Sequence, residues 1–149
     1  MASIEKNITT AQALCQQRGV RLTAQREQVL SLLLQEKSAI SAYDLLDKLK
    51  EIEPNAKPPT VYRALDFLLS QGFVHKVEST NSYICCCSIG HDQHCSQLLI
   101  CDSCGYVQEC HYDQLAQMLN HQAQQTGFKI YHHVIETHGL CQSCQSISS

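Results

Sequence analysis

No apolar run in this sequence approaches the roughly 20 residues that a membrane-spanning helix requires. The opening stretch, MASIEKNITT, has charges where a secretory leader has its apolar centre, so export is not expected and the cytoplasm is the expected compartment. There is no internal repeat of solenoid length and no long low-complexity tract, which sets aside repeat scaffolds. No His-Glu-x-x-His and no nucleophile-and-base constellation occur, so no catalytic residue is assigned and an enzyme is not expected. Positive charge almost vanishes from the second half. Residues 85–149 hold 1 Lys/Arg against 5 Asp/Glu, whereas residues 1–84 hold 10 against 9. The first half suits an approach to an anion, and the second suits holding cations.

What is abundant is cysteine and histidine. The 149 residues include 10 Cys and 8 His, and nine of those cysteines and every histidine lie at or beyond His75. In a reducing compartment such a supply points to metal rather than to disulfides. A hydrophobic share of 44% with 17% charged residues suits a packed chain of one ordinary domain or two small ones.

The first 70 residues read as helices. One covers Thr10 to Arg18 and stops at Gly19. Thr23 caps a second, whose apolar stripe is Val29, Leu30, Leu33 and Leu34. Ser41-Ala-Tyr-Asp44 is a capping-box-like start for a third, with Leu45, Leu46, Leu49 and Ile52 inward. A fourth begins near Pro59 and buries Val61, Ala64, Leu65 and Leu68 before Gly72. The runs Phe73–Glu78 and Tyr83–Cys87 then form a hairpin around Ser79-Thr-Asn-Ser82. Helices followed at once by a hairpin is the order of a winged helix-turn-helix. Beyond a polar stretch come a strand at Leu98–Ile100, a Cys-x-x-Cys turn and a strand near Val107. A helix over Tyr112–Thr126 follows, with Leu115, Met118, Leu119 and Gln122 inward. The chain ends with a strand over Phe128–Glu136, a second Cys-x-x-Cys and a polar tail. The fold class is α+β: a winged helix at 1–84, a hinge at 85–95 and a small α/β domain at 96–149.

Cys101-Asp-Ser-Cys104 and Cys141-Gln-Ser-Cys144 are the most specific signal. Two residues between cysteines let both thiolates of a knuckle reach one ion at about 2.3 Å, and two knuckles complete a closed tetrahedral shell. That favours structural zinc. A redox pair would open a helix, whereas Cys104 is followed by Gly105 and a strand.

KPPTVYRALDFLLSQGFVHKV, followed by a His-rich stretch, Cys-x-x-Cys-Gly and a distal Cys-x-x-Cys, resembles the ferric uptake regulator superfamily. ISAYDLL, FVHKVES and HGLC resemble its zinc uptake regulator branch, and the resemblance runs from about Thr10 to Cys144. It implies a homodimer, a C-terminal dimerisation domain and zinc-responsive repression at palindromic operators of zinc-uptake genes, with no membrane or small-molecule substrate as partner. It also implies regulatory zinc ligands at His75, Cys86, His94 and Glu109, which makes two zinc ions per subunit.

Pairing supports part of that ligand set. With a hairpin loop of two or four residues, positions summing to 161 oppose each other and His75 faces Cys86, with Cβ atoms about 5 Å apart. Cys85 and Cys87 then point to the other face, and an odd loop or a bulge would favour one of them instead. Cys87, His91, Cys95, Cys110 and His111 are additional donors nearby, and some could join His132, His133 or His138 in a third site. An imidazole and thiolate set suits zinc over ferrous iron.

In a helix-turn-helix the second helix enters the major groove. The helix starting at Pro59 leaves Tyr62, Arg63 and Asp66 on its open side. Arg63 is the base reader, because a guanidinium reaches guanine O6 and N7 together. Thr60 and Tyr62 suit phosphate or thymine, Tyr43 is a further contact implied by the resemblance, and Lys57 and Lys76 suit phosphates. The alternatives are an iron- or peroxide-responsive repressor of the same superfamily, or a zinc storage or chaperone protein, which would leave TVYRAL unexplained.

Overall fold

A computed structural model describes residues 2–86, 89–90, 95–131 and 133–147. It divides into two compact units, Met1–Gly90 and His91–Ser149.

The first unit contains α1 (Ala2–Arg18), α2 (Ala24–Gln35), β1 (Ile40–Ser41), α3 (Ala42–Ile52), α4 (Pro58–Ser70), β2 (Val74–Val77) and β3 (Ser82–Cys85). It is a winged helix-turn-helix. α1 starts eight residues before the expected Thr10, because the intervening threonines do not break it. The Thr9 and Thr10 hydroxyls donate to the carbonyls of Glu5 and Lys6, each at 2.9 Å. The helix ends as expected at Gly19, whose φ of 70° allows a Schellman closure: Gly19 N–H to Gln16 O at 3.2 Å and Val20 N–H to Cys15 O at 3.0 Å. Thr23 caps α2 by accepting from Arg26 N–H at 3.3 Å. Ser41 caps α3, accepting from Asp44 N–H at 3.1 Å while its hydroxyl donates to the Asp44 carboxylate at 3.0 Å. Pro58 and Pro59 occupy the first turn of α4, where missing N–H groups cost nothing.

The core collects Val29, Leu30 and Leu33 from α2, Leu45 and Leu49 from α3, and Val61, Leu65 and Leu68 from α4. Leu34 is only half-buried, and Leu32 takes a buried place beside it. Ile52, expected inside, is 54% exposed because it sits in the last turn of α3, past the packed stripe.

The wing differs from its expected register. The loop is Glu78–Asn81, a one-turn 3₁₀ helix closed by Asn81 in the left-handed region at φ 48°. The strands therefore pair Val74 with Cys85, His75 with Ile84 and Val77 with Ser82. A four-residue loop was foreseen, but it starts one residue earlier, so His75 opposes Ile84 rather than Cys86. The shift of two in the pairing sum leaves every side chain on its expected face. β1, too short to be legible in sequence, adds to the far edge through Ile40–Tyr83 and Ser41–Ser82, giving the order β1-β3-β2.

The second unit contains β4 (Cys95–Cys101), β5 (Val107–His111), α5 (Asp113–Gln125), β6 (His133–Gly139) and α6 (Gln142–Ile147). β4 is central, antiparallel to β5 and parallel to β6. Three expectations fail here. β6 starts at His133, not Phe128, because Phe128 and Tyr131 are surface side chains, 68% and 85% exposed, rather than strand residues. Met118 is 69% exposed and Gln122 is also exposed, and Ala123 takes the buried place on α5. The tail after Cys141 is a short helix.

Leu65 is fully buried, and Ser41 forms both of its capping bonds at the surface. Leu65→Ala is expected to destabilise the first unit by about 2–5 kcal/mol, and Ser41→Ala by about 1 kcal/mol. Denaturant unfolding followed by amide exchange in α2 to α4 measures both, and equal effects would contradict this packing.

Candidate metal centre and nucleic-acid interface

The parallel pairing of β4 with β6 sets Cys101 beside Gly139. Both strands therefore end at the same edge of the sheet, and each runs directly into a Cys-x-x-Cys turn. The first knuckle closes through Gly105 N–H to Cys101 O at 2.9 Å, with Gly105 at φ 77°, a conformation that suits glycine. The second closes through Gln145 N–H to Cys141 O at 3.0 Å. Asp102 N–H donates to Gly139 O at 2.9 Å and ties the two turns together.

The result is a cluster of Cys101, Cys104, Cys141 and Cys144 with all ligand sulfurs within 4.8 Å of one another. A tetrahedral shell with metal–sulfur bonds of about 2.3 Å spaces its sulfurs about 3.8 Å apart. Cys104 Sγ and Cys141 Sγ are 3.8 Å apart. That is far beyond a disulfide bond and at the spacing a shared zinc ion requires.

Backbone and side-chain groups of the two turns push these thiols in opposite directions. Backbone hydrogen bonds from Cys141 and then Cys104 pull the Cys101 thiol down to about 6. Cys144 is pushed up to about 12: the Ser103 hydroxyl favours its thiolate, but the neighbouring Cys141 and Cys101 thiols outweigh it together with burial. A divalent cation removes the conflict by deprotonating every ligand. The residues thus fit zinc, which would supply a closed, redox-inert cross-link.

Two of the regulatory candidates lie in the first unit. His75 on β2 is 8% exposed and Cys86, just past β3, is 1% exposed. Cys86 N–H donates to Phe73 O at 2.9 Å and so continues the wing ladder by one rung. Cys86 is therefore the diagonal neighbour of His75 on one face of the wing, within reach of a side-chain contact. Their ligand atoms lie within 4.8 Å. Cys85 faces the other way, with its thiol 3.5 Å from Phe73 O. In the second unit, Glu109 is on β5 opposite Leu98, and a carboxylate oxygen lies 3.6 Å from His111 Nε2. His94 lies outside the described residues, as do Cys87, His91 and His132. Cys110 and His111 are half-buried on β5, and His133 pairs with Cys95.

On the helix-turn-helix, Tyr43 in the first turn of α3 is 74% exposed and Tyr62 on α4 is 50% exposed. Arg63 is exposed and Thr60 half-exposed, so all four offer polar groups to solvent. Lys57 precedes the first turn of α4, and Lys76 on the wing makes a 3.4 Å ion pair with Glu78.

Residues 17–138 match the ferric uptake regulator family. The chain belongs to the ferric uptake regulator family. It is 53% identical over 142 residues to the zinc uptake regulation protein of Escherichia coli (strain K12), covering 95% of this chain and 83% of that protein. It is 31% identical over 126 residues to the peroxide operon regulator of Bacillus subtilis (strain 168), covering 85% of each. A solved zinc uptake regulator complexed with zinc and DNA superposes with a TM-score of 0.88 at 52% identity, covering 97% of both chains.

In this member of the ferric uptake regulator family, one feature escaped the sequence reading. His138, considered only as a spare metal donor, is engaged by Asp102 at 2.8 Å and Glu136 at 3.3 Å. Asp102, followed by Glu136, raises its pKa. The parallel β4–β6 register that brings Asp102 to His138 leaves no short-range sequence signal.

Cys104→Ser is expected to remove one tightly held zinc per chain. Metal analysis after gel filtration measures the loss, and amide exchange is expected to lose protection in β4 to β6 while α2 to α4 keep theirs. Stoichiometric zinc in the variant would exclude the all-thiolate site.

Proposed function

We propose that this chain is a zinc-responsive transcriptional repressor that binds palindromic operators of zinc-uptake genes as a homodimer when zinc is bound. The observation that carries this reading is the buried His75–Cys86 pair on the wing of a helix-turn-helix. A metal donor pair built into the DNA-binding unit itself is what a sensor requires and a storage protein does not. An imidazole beside a thiol favours zinc over the nitrogen and oxygen shell suited to ferrous iron. Similarity to a regulator solved with zinc and DNA supports the same assignment.

His75 and Cys86 are proposed as the first unit's regulatory ligands, with His94 and Glu109 as those of the second. Bound zinc supplies directed bonds to donors of both kinds. The ligands of the two units then restrict the orientations open to the reading head, and a dimer needs both heads oriented at once to engage a palindrome. Shifting the competent fraction from 1% to 99% requires about 5.5 kcal/mol of differential binding. Four ligands to zinc are of the order needed. Reciprocity requires operator DNA to tighten zinc binding by the same factor.

Arg63 is the proposed base reader, with Tyr43, Thr60 and Tyr62 around it. The dimer is supported by the second unit's surface. Tyr112, Met118, Phe128 and Tyr131 are each more than half exposed, whereas among the described residues of that unit few apolar side chains (Leu98, Ile100, Val107, Ala123) are buried besides the cysteines Cys101 and Cys144. So small a core calls for a cross-link and a partner. No helix among the described residues is long and apolar enough to cross a membrane.

A gel shift on a palindromic operator, with zinc set by a chelator buffer, tests the reading. His75→Ala is expected to abolish the zinc dependence while the fold persists. Arg63→Ala is expected to bind zinc normally and to lose about 1–3 kcal/mol of discrimination per missing base contact. Operator binding that follows ferrous iron and ignores zinc would overturn the zinc assignment in favour of the family's iron or peroxide sensors.

A further inference from the structure

His138 lies on β6, beside Ile100 of β4 and immediately before Gly139. Its Nδ1 is 2.8 Å from Asp102 Oδ1, and its Nε2 is 3.3 Å from Glu136 Oε2. Each ring nitrogen therefore meets a different carboxylate. A chelate needs donors that converge on one point. Here the two carboxylates flank the imidazole at different edges, so the trio clamps the ring instead of forming a cation site.

What the clamp holds follows from where its members sit. Asp102 is the second residue of the first cysteine knuckle, and its backbone N–H also donates to Gly139 O at 2.9 Å. Main chain and side chain thus both fasten that knuckle to β6. β6 leads directly to Cys141 and Cys144. Glu136, on the same strand, holds the opposite edge of the ring and keeps Nδ1 aimed at Asp102.

The geometry points to His138 as a positioning residue for the metal of the four-cysteine site: it locks the first knuckle to the strand that delivers the second. This rests on reading the four thiolates as a zinc site. Groups that orient metal ligands from outside typically change metal affinity about 10- to 100-fold. The His138 and Asp102 side chains are 38% and 61% exposed, so solvent weakens the contact and the expected effect is at the lower end, about tenfold.

The test uses the full chain loaded with zinc and compares His138→Ala, His138→Asn, Asp102→Ala and the double variant His138→Ala/Asp102→Ala. The rate of zinc transfer from the four-cysteine site to excess chelator is measured. So are the d–d and thiolate-to-metal bands of the cobalt(II)-substituted proteins. His138→Ala and Asp102→Ala are each expected to speed transfer about tenfold and to shift the cobalt bands, and the double variant should be no faster than either single one. His138→Asn, whose side-chain amide N–H reaches the place of Nδ1, is expected to restore the wild-type rate to within about twofold. Unchanged rates and bands in His138→Ala would overturn the inference. So would equal losses in His138→Ala and His138→Asn, or additive losses in the double variant. If His138→Ala fails to fold by circular dichroism, Asp102→Ala at its exposed turn position decides on the same terms. A wild-type chain that holds no zinc against a weak chelator would instead sink the zinc reading, and this inference with it.

Discussion

The second unit depends on one pairing, β6 laid parallel beside β4. Parallel strands need a long crossover, supplied here by β5 and α5, and they end at the same edge of the sheet. That edge is where both cysteine knuckles begin. An antiparallel β6 would have carried Cys141 away from Cys101 along the full length of the strand. The thiolates in turn compensate for what the pairing cannot supply. Leu98, Ile100, Val107 and Ala123 make a small core, and Cys101 and Cys144 are buried beside them. A closed metal cross-link between chain segments nearly 40 residues apart restricts the unfolded chain as a disulfide would, without needing an oxidising compartment.

The first unit solves the opposite problem. Its helices bury a continuous apolar cluster, so it needs no cross-link, and its wing is free to carry chemistry. His75 and Cys86 are both buried within that well-packed body. If these two hold the ion, as proposed, their burial arranges them before it arrives, which lowers the ordering cost of binding. The exposed groups of α3 and α4, Arg63 among them, belong to the same compact unit as the wing.

Local signals were legible in sequence, and non-local ones were not. Thr23, Ser41, Pro58–Pro59, Gly19 and Gly72 mark helix ends through backbone chemistry that acts within a few residues, and the structure uses each of them. The cysteine knuckles were legible for the same reason. The hairpin was recognisable but its register was not, because Glu78 reads as a strand residue until Asn81 adopts a left-handed conformation and ends the loop one residue early. Phe128 and Tyr131 read as strand residues because aromatic side chains normally need burial. Here both are exposed, so the pattern misled. The Asp102–His138 half of the clamp was beyond reach, since it exists only through the β4–β6 register.

The two donor sets differ in a way that suits a sensor. Four thiolates complete a tetrahedral zinc shell with no open position, which suits a structural ion rather than one that reports on changing supply. The mixed set proposed for the sensor has one thiolate, and a set of that kind is weaker and can empty as zinc falls. On the proposed reading, the four-thiolate set keeps the second unit folded while the mixed set empties and refills. The mixed set is then left, on that reading, to govern DNA binding alone. On the proposed reading, if both sets were equally weak, zinc depletion would unfold the second unit, and release from DNA would become a slow refolding problem instead of a reversible loss of one ion.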